Sequence, residues 1–131
     1  MNYKDIKFRA WHKDKERMYN VLELDFSGNL VLLDYYFVTT PCDVVQEIPF
    51  WEPVDEVELM MYTGQQDKHG KDIYEGDIVK SFNTADTVYW NEGCSSFYRQ
   101  NKYEDESYPV ETEYTKYREI IGNEYENPEL V

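Results

Sequence analysis

The sequence predicts a mostly β protein of antiparallel strands with few short helices; an α+β arrangement is the alternative. Three observations predict it. Apolar and polar residues alternate in several stretches, the period of a strand with one buried face. Gly and Pro punctuate those stretches at short intervals. No long segment shows a helical period, and there is no internal repeat. At 131 residues the chain suits one domain or two small lobes, and a chain of this size buries roughly two thirds of its unfolded surface.

The first strand is expected in residues 3–12, with Ile6, Phe8 and Ala10 facing the core and Lys7, Arg9 and Trp11 opposed. Lys13-Asp14-Lys15-Glu16 is polar and fits a turn. Residues 17–26 resume alternation, with Leu22, Leu24 and Phe26 on one face. Ser27-Gly28-Asn29 breaks the run, and Gly, which adopts positive φ at no steric cost, predicts a hairpin into Leu30–Val38. Residues 39–56 hold Pro41, Pro49 and Pro53. A proline lacks the N–H and fixes φ, so no long central strand or helix is expected there, only a short helical turn around Asp43–Glu47. Phe50 and Trp51 are expected to anchor this connection to the core.

Val57, Leu59 and Met61 mark a further strand over 57–63. Asp67-Lys68-His69-Gly70-Lys71 is a turn by composition. Ile78–Phe82, Thr87–Trp90 and Ser96–Arg99 continue the meander, and Ile120-Ile121 mark a last short strand. Residues 100–118 contain a single aliphatic residue, Val110, among charges and Tyr103, Tyr108, Tyr114 and Tyr117. They are expected to form an irregular, acidic, Tyr-rich excursion. The chain thus reads as a β-rich lobe of residues 1–63 and a second lobe of 64–131, or as one compact unit.

Charge restricts function. Lys plus Arg number 13 and Asp plus Glu 27, a formal net charge of −14. Residues 1–20 carry a net +3, whereas Met18–Asp67 contains ten acids and no Lys or Arg, and residues 101–131 carry a net −6. Such a surface repels phosphate backbones, so no direct nucleic-acid binding is expected, and a basic protein is the better matched partner. Acidity also simply maintains solubility. The longest aliphatic run, Leu30-Val31-Leu32-Leu33, is far too short to span a bilayer. Met1-Asn2-Tyr3-Lys4 leads into no apolar stretch, so no export signal is expected; Cys42 and Cys94 are then expected as unpaired thiols in a reduced compartment, with a Cys42–Cys94 bridge the alternative.

The chemical motifs fail on spacing. Gly64 to Gly70-Lys71 has five intervening residues where a phosphate loop has four, and Asp72 stands where a Ser or Thr meets magnesium. Asp67, His69 and Asp72 flank Gly70, but that glycine is at position 4 where a calcium loop needs it at position 6. His12, His69, Cys42 and Cys94 would have to converge through the fold to hold zinc or to pair a thiolate with a base. Carboxylate pairs such as those in Glu104-Asp105-Glu106 are too common in so acidic a chain to single out a site. No catalytic residue, metal or cofactor is therefore expected. Rigid, amphipathic tyrosine suits a contact surface, which makes Tyr103, Tyr108, Tyr114 and Tyr117 the candidate partner-binding residues.

Three blocks in order are familiar together. They are Ile6-Lys7-Phe8-Arg9-Ala10-Trp11 with Lys15-Glu16-Arg17-Met18-Tyr19, then Leu59-Met60-Met61-Tyr62-Thr63-Gly64 with Asp67–Lys71 and Ile73-Tyr74-Glu75-Gly76-Asp77-Ile78-Val79, then Ile120-Ile121-Gly122-Asn123 running to Leu130. They cover 40 of the 131 residues, and the sequence resembles the YopX family of small phage and prophage proteins. Position 69 is His where that family's turn more often has Asn. The resemblance implies a virus- or prophage-encoded protein of the bacterial host cytoplasm, with a small SH3-like β-barrel in the second lobe. It brings no reaction, cofactor or catalytic residue; Gly64, Gly70, Gly76, Gly122 and Asp77 carry over as scaffold.

The expected function is that of a non-enzymatic phage accessory protein acting by contact with a host or phage protein. An acidic DNA mimic that occupies a host nucleic-acid-binding protein is the alternative, and a metal-dependent enzyme is the remaining one.

Overall fold

Two antiparallel sheets and few helices make up the fold. The computed structural model describes residues 2–39, 41–42 and 45–131, the side chains of 36–39, 45–47 and 81 excepted. The chain divides into two compact units, one of Lys7–Leu59 and one of Met60–Val131 joined by the residues up to Ile6. The lobe boundary expected from the sequence lies between residues 63 and 64.

In the unit of residues 7–59, β1 (Phe8–His12), β2 (Arg17–Asp25), β3 (Leu30–Thr39) and β4 (Val45–Pro53) follow one another as antiparallel neighbours. Their core is Ala10, Tyr19, Val31, Leu33 and Val57, with Val21, Leu24, Phe50 and Leu59 packed against it. The hairpin expected at Ser27–Asn29 forms, but Asn29 carries the positive φ (54°) and Gly28 does not. The Asp25 carboxylate shapes the turn by accepting from the N–H groups of Ser27 and Gly28 and from the Ser27 hydroxyl. Those three bonds hold the Asp25 carboxyl below its ordinary pKa.

Two expectations in this unit are corrected. The register of β2 against β3 shifts between Val21 and Glu23. This bulge inserts Leu22, so the strand changes face there. Tyr19 and Val21 point to the core before it and Leu24 after it, while Leu22 (52% exposed) and Phe26 (85%) lie outside. Residues 45–53 form a strand, not an irregular connection with a helical turn; Asp43 and Val44 of that expected turn lie outside the described residues. Proline is tolerated because β4 is an edge strand and Pro49 falls at the register break between the pairs Leu33–Phe50 and Tyr36–Ile48. Phe50 does anchor the core, edge-on to Tyr19 at 5.3 Å, but Trp51 is 45% exposed. Ile6, expected to face inward with Phe8, is likewise exposed.

β5 (Val57–Gln66) runs from the first unit into the second. There it pairs with β6 (Asp72–Tyr74) around the predicted Asp67–Lys71 turn. Met60 and Tyr62 are buried, and Met61, expected on the core face with Val57 and Leu59, is only partly so. Five further strands, β7 (Asp77–Ser81), β8 (Thr84–Asn91), β9 (Ser96–Gln100), β10 (Tyr108–Pro109) and β11 (Glu119–Asn123), form a sheet in the order β10-β9-β8-β7-β11. No pairing joins β10 to β11, so the sheet is open and a closed barrel is not seen among the described residues. Its core is Ile73, Val79 and Val88, with Phe97, Val110, Tyr114 and Ile120 against it. Gly64, Gly70 and Gly76 all take positive φ. At Gly122 a side chain is excluded for another reason: a Cβ would collide with the Asn127 amide, whose Oδ1 accepts from the Asn123 N–H.

Residues 100–118 are largely irregular, as expected, but part of the segment packs on the sheet core. They contribute β10, a single helical turn α1 (Thr112–Thr115), and Val110, Tyr114 and buried Thr115. A lone aliphatic residue understated what the tyrosine, Thr and Asn of this segment bury.

Candidate functional site

Asp86 on β8 is in phase with Val88, so it points into the sheet core and is only 2% exposed. A buried carboxylate needs partners, and three side chains supply them. Arg99 Nη1 donates to Oδ2 at 3.0 Å, the Tyr114 hydroxyl donates to the same oxygen at 2.7 Å, and Asn101 Nδ2 donates to Oδ1 at 3.2 Å. The Arg99 guanidinium lies 3.8 Å from the Tyr114 ring centroid and 5.0 Å from that of Tyr108. These contacts tie the 100–118 segment to the sheet. The sequence contained a signal: Asp86 shares the inward phase of Val88, and Val88 pairs across the strands with Arg99.

The four tyrosines therefore separate. Tyr114 belongs to the core and its polar network. Tyr103 and Tyr117 are 75% and 65% exposed. Tyr108 lies on the edge strand β10, its hydroxyl donating to Glu106 at 3.0 Å, which holds the phenol above its ordinary pKa.

Beside β10 is a groove of about 420 Å³, mainly apolar in its walls: Met61, Tyr62, Trp90, Phe97, Pro109 and Val110. Trp90 and Phe97 are cross-strand partners packed edge to face at 5.0 Å, yet Trp90 is left 41% exposed. Asp5 is the one charged residue in the lining. Trp90 shares the phase of Asp86 and Val88 on β8 yet is exposed, while its partner Phe97 packs against the core, so alternation alone does not reveal the exposed indole.

The four potential metal ligands do different things. The Lys15 N–H donates to His12 Nδ1 at 3.2 Å, so the ring proton sits on Nε2 and donates to Glu52 at 2.7 Å. His12, 2% exposed, is a core histidine of the first unit. His69 is exposed with Nε2 3.5 Å from Glu119, and Cys42 and Cys94 are exposed free thiols. Among the described residues no group of three or more His, Cys, Asp or Glu converges to hold a metal. No helix among them is long and apolar enough to cross a membrane.

Fold and site together define a small, mostly β protein with an open five-stranded sheet and an aromatic groove at its edge. The chain belongs to the YopX family, whose model, described as "YopX protein", matches residues 7–131. Among solved structures it is similar to protein EF1440 from Enterococcus faecalis, with 26% identity, a TM-score of 0.64 and coverage of 95% of this chain and 96% of that one. It also shares the fold of protein yopX from Bacillus subtilis, at 21% identity and a TM-score of 0.56, covering 97% and 98% of the two chains. No curated protein matches the chain.

Proposed function

We propose that this YopX-family protein is a phage or prophage accessory protein of the host cytoplasm that acts without catalysis, by holding a segment of another protein in the Trp90 groove. The observation that supports this reading is the groove itself. A solvent-exposed indole beside Phe97, Pro109 and Val110 leaves apolar surface that burial by a partner would stabilise. The occupant is an extended apolar segment carrying a Lys or Arg, matched to Asp5 in the groove and to the chain's net −14. An SH3-like arrangement of β7–β11, as the family resemblance implies, suits such an occupant, because aromatic-lined grooves of that type take extended peptides. Of the four tyrosines expected at a partner contact, Tyr108 adjoins groove-lining Pro109.

The test is site-specific photocrosslinking in lysate of the infected host, with the photoreactive residue at Ser96 in the groove and, as control, at Asp14. The expected result is a crosslink from position 96 alone, to an apolar segment containing Lys or Arg, abolished by Trp90→Ala. A synthetic copy of that segment should then perturb Trp90 fluorescence. Crosslinks that survive Trp90→Ala, or that map to acidic segments, would overturn the reading.

A further inference from the structure

A second cleft, of about 280 Å³, lies elsewhere in the unit of residues 60–131 and is lined by Lys68, Lys80, Phe82, Tyr117, Arg118 and Glu119. Three cations converge there on a chain whose net charge is −14. They come from separate places: Lys68 from the turn after β5, Lys80 from β7, and Arg118 from the segment before β11. The Lys68 N–H donates to the Arg118 carbonyl at 2.8 Å, which fixes two of these residues side by side. Among the described residues none of the three cations forms an ion pair. Arg118 Nε is buried without a hydrogen-bond partner. Glu119 is the one acid in the lining, and its Oε2 is directed to His69. Nearby Asp67 is occupied by the N–H groups of His69, Lys71 and Ile120.

Two aromatic rings flank these cations. Phe82 is 84% exposed, at the tip of the β7–β8 turn with φ 44°, and Tyr117 is 65% exposed. The Arg118 guanidinium lies 4.7 Å from the Phe82 ring centroid. An unpaired cation cluster fits an anion, and exposed planar groups beside it fit a flat, stackable ring.

We propose that this cleft binds a nucleoside phosphate, with Lys68, Lys80 and Arg118 on the phosphate and Phe82 and Tyr117 against the base. The ligand is a free nucleotide or a nucleotide of a single strand; duplex DNA is excluded by the acidic remainder of the surface. The global charge that argues against nucleic acid hides this local reversal, because its cations are scattered through the sequence. This site is independent of the Trp90 groove.

The test measures binding of fluorescein-labelled tetrathymidylate, thymidine monophosphate, a DNA duplex and inorganic phosphate to the full chain, between about 50 and 200 mM salt. Tetrathymidylate should bind with a log–log salt slope of about −2, as three phosphate contacts on a single strand give. Lys68→Glu with Lys80→Glu should weaken binding at least about tenfold without lowering the melting temperature, since both side chains are exposed. Phe82→Ser should weaken tetrathymidylate at least about fivefold but leave inorganic phosphate unchanged. Equal affinity for the mononucleotide assigns a free nucleotide; binding of the oligomer alone assigns a strand. No binding at low salt, binding unchanged by the double substitution, inorganic phosphate bound as tightly as nucleotide, or preference for a duplex would each overturn the proposal. Trp90→Ala should leave all of these values unchanged, so failure here and failure at the groove are read separately.

Discussion

The two compact units bury polar groups very differently. Among the described residues, His12 is the only buried polar residue of Lys7–Leu59, whereas the other unit buries Asp67, Asp77, Asp86, Asn101, Thr115 and Asn123. The first unit is made from sequential hairpins, and local bonds such as those accepted by Asp25 suffice to close a turn. In the second, β7 pairs with β11 some forty residues on, and long connections must be tied down. Buried Asp86 does this through Arg99, Asn101 and Tyr114, and Asp67 does it by accepting from the Ile120 N–H, while Asp77 and Asn123 close local turns with the N–H groups of Tyr74 and of Tyr125 and Glu126. Loops held by specific polar bonds can leave clefts between them, and both proposed binding sites lie in this unit.

The comparison breaks most severely at Asp86. Removing one member of a buried, hydrogen-bonded charge pair costs about 3–5 kcal/mol, because the partner charge is left without compensation. Asp86→Ala should lower the unfolding free energy by that amount, measured by denaturant titration. Hydrogen exchange should show β8, β9 and residues 100–118 losing protection together. A loss below about 1 kcal/mol would show that the network tolerates solvent in place of the carboxylate.

Gly122→Ala should cost less, about 1–3 kcal/mol, the usual penalty of inserting a methyl group where there is no room. The added Cβ must displace the Asn127 amide and its bond from the Asn123 N–H. Thermal unfolding of Gly122→Ala alone and with Asn127→Ala separates the two contributions. If the clash is the cause, the second substitution makes the first one milder.

How much of this was legible in the sequence follows from the same contrast. Patterning located most strands but missed β4, β6 and β10, since alternation is legible only where a run is long enough and free of proline. It misassigned faces where a single inserted residue intervened, as at Leu22, because a bulge has no compositional mark. It excluded a central strand at Pro49 but offered no edge strand, where proline is tolerated. The larger failures concern polar burial. Tyr114 was grouped with Tyr103 and Tyr117 by sequence position, but its hydroxyl meets Asp86, which is 28 residues away. Nor could the counts of charge by segment reveal that Lys68, Lys80 and Arg118 share one cleft. The barrel expected from family resemblance is not closed in the described strands.

Asp67 sharpens the comparison through pH. Burial works against its ionisation, but N–H donors from Lys71, Ile120 and His69, with the charge of His69, hold its carboxyl below the ordinary value of 3.8. A depressed carboxylate stabilises the fold fully above its unfolded pKa, and that contribution is lost as pH falls through the folded one. Stability should therefore decline from about pH 4 downward. Asp67→Asn should be less stable at neutral pH and show a shallower decline in acid, read from urea unfolding at successive pH values. Parallel curves for the two proteins would assign the acid sensitivity to other carboxylates.

The smallest effect should come from Tyr103. Its ring is 75% exposed, and its backbone N–H, not its side chain, bonds to Asn101 Oδ1 at 2.9 Å. The Lys102 ammonium lies 5.2 Å from the ring centroid, an exposed contact of little weight. Tyr103→Ser should shift the unfolding free energy by no more than about 0.5 kcal/mol, as exposed substitutions do. Tyr114→Ser, in the same segment, removes a core ring and the hydroxyl bond to Asp86, and should cost several times more. Equal melting temperatures for the two variants would mean that the whole 100–118 segment can detach from the sheet without unfolding it. The buried polar network would then serve to position this segment, not to hold the unit together.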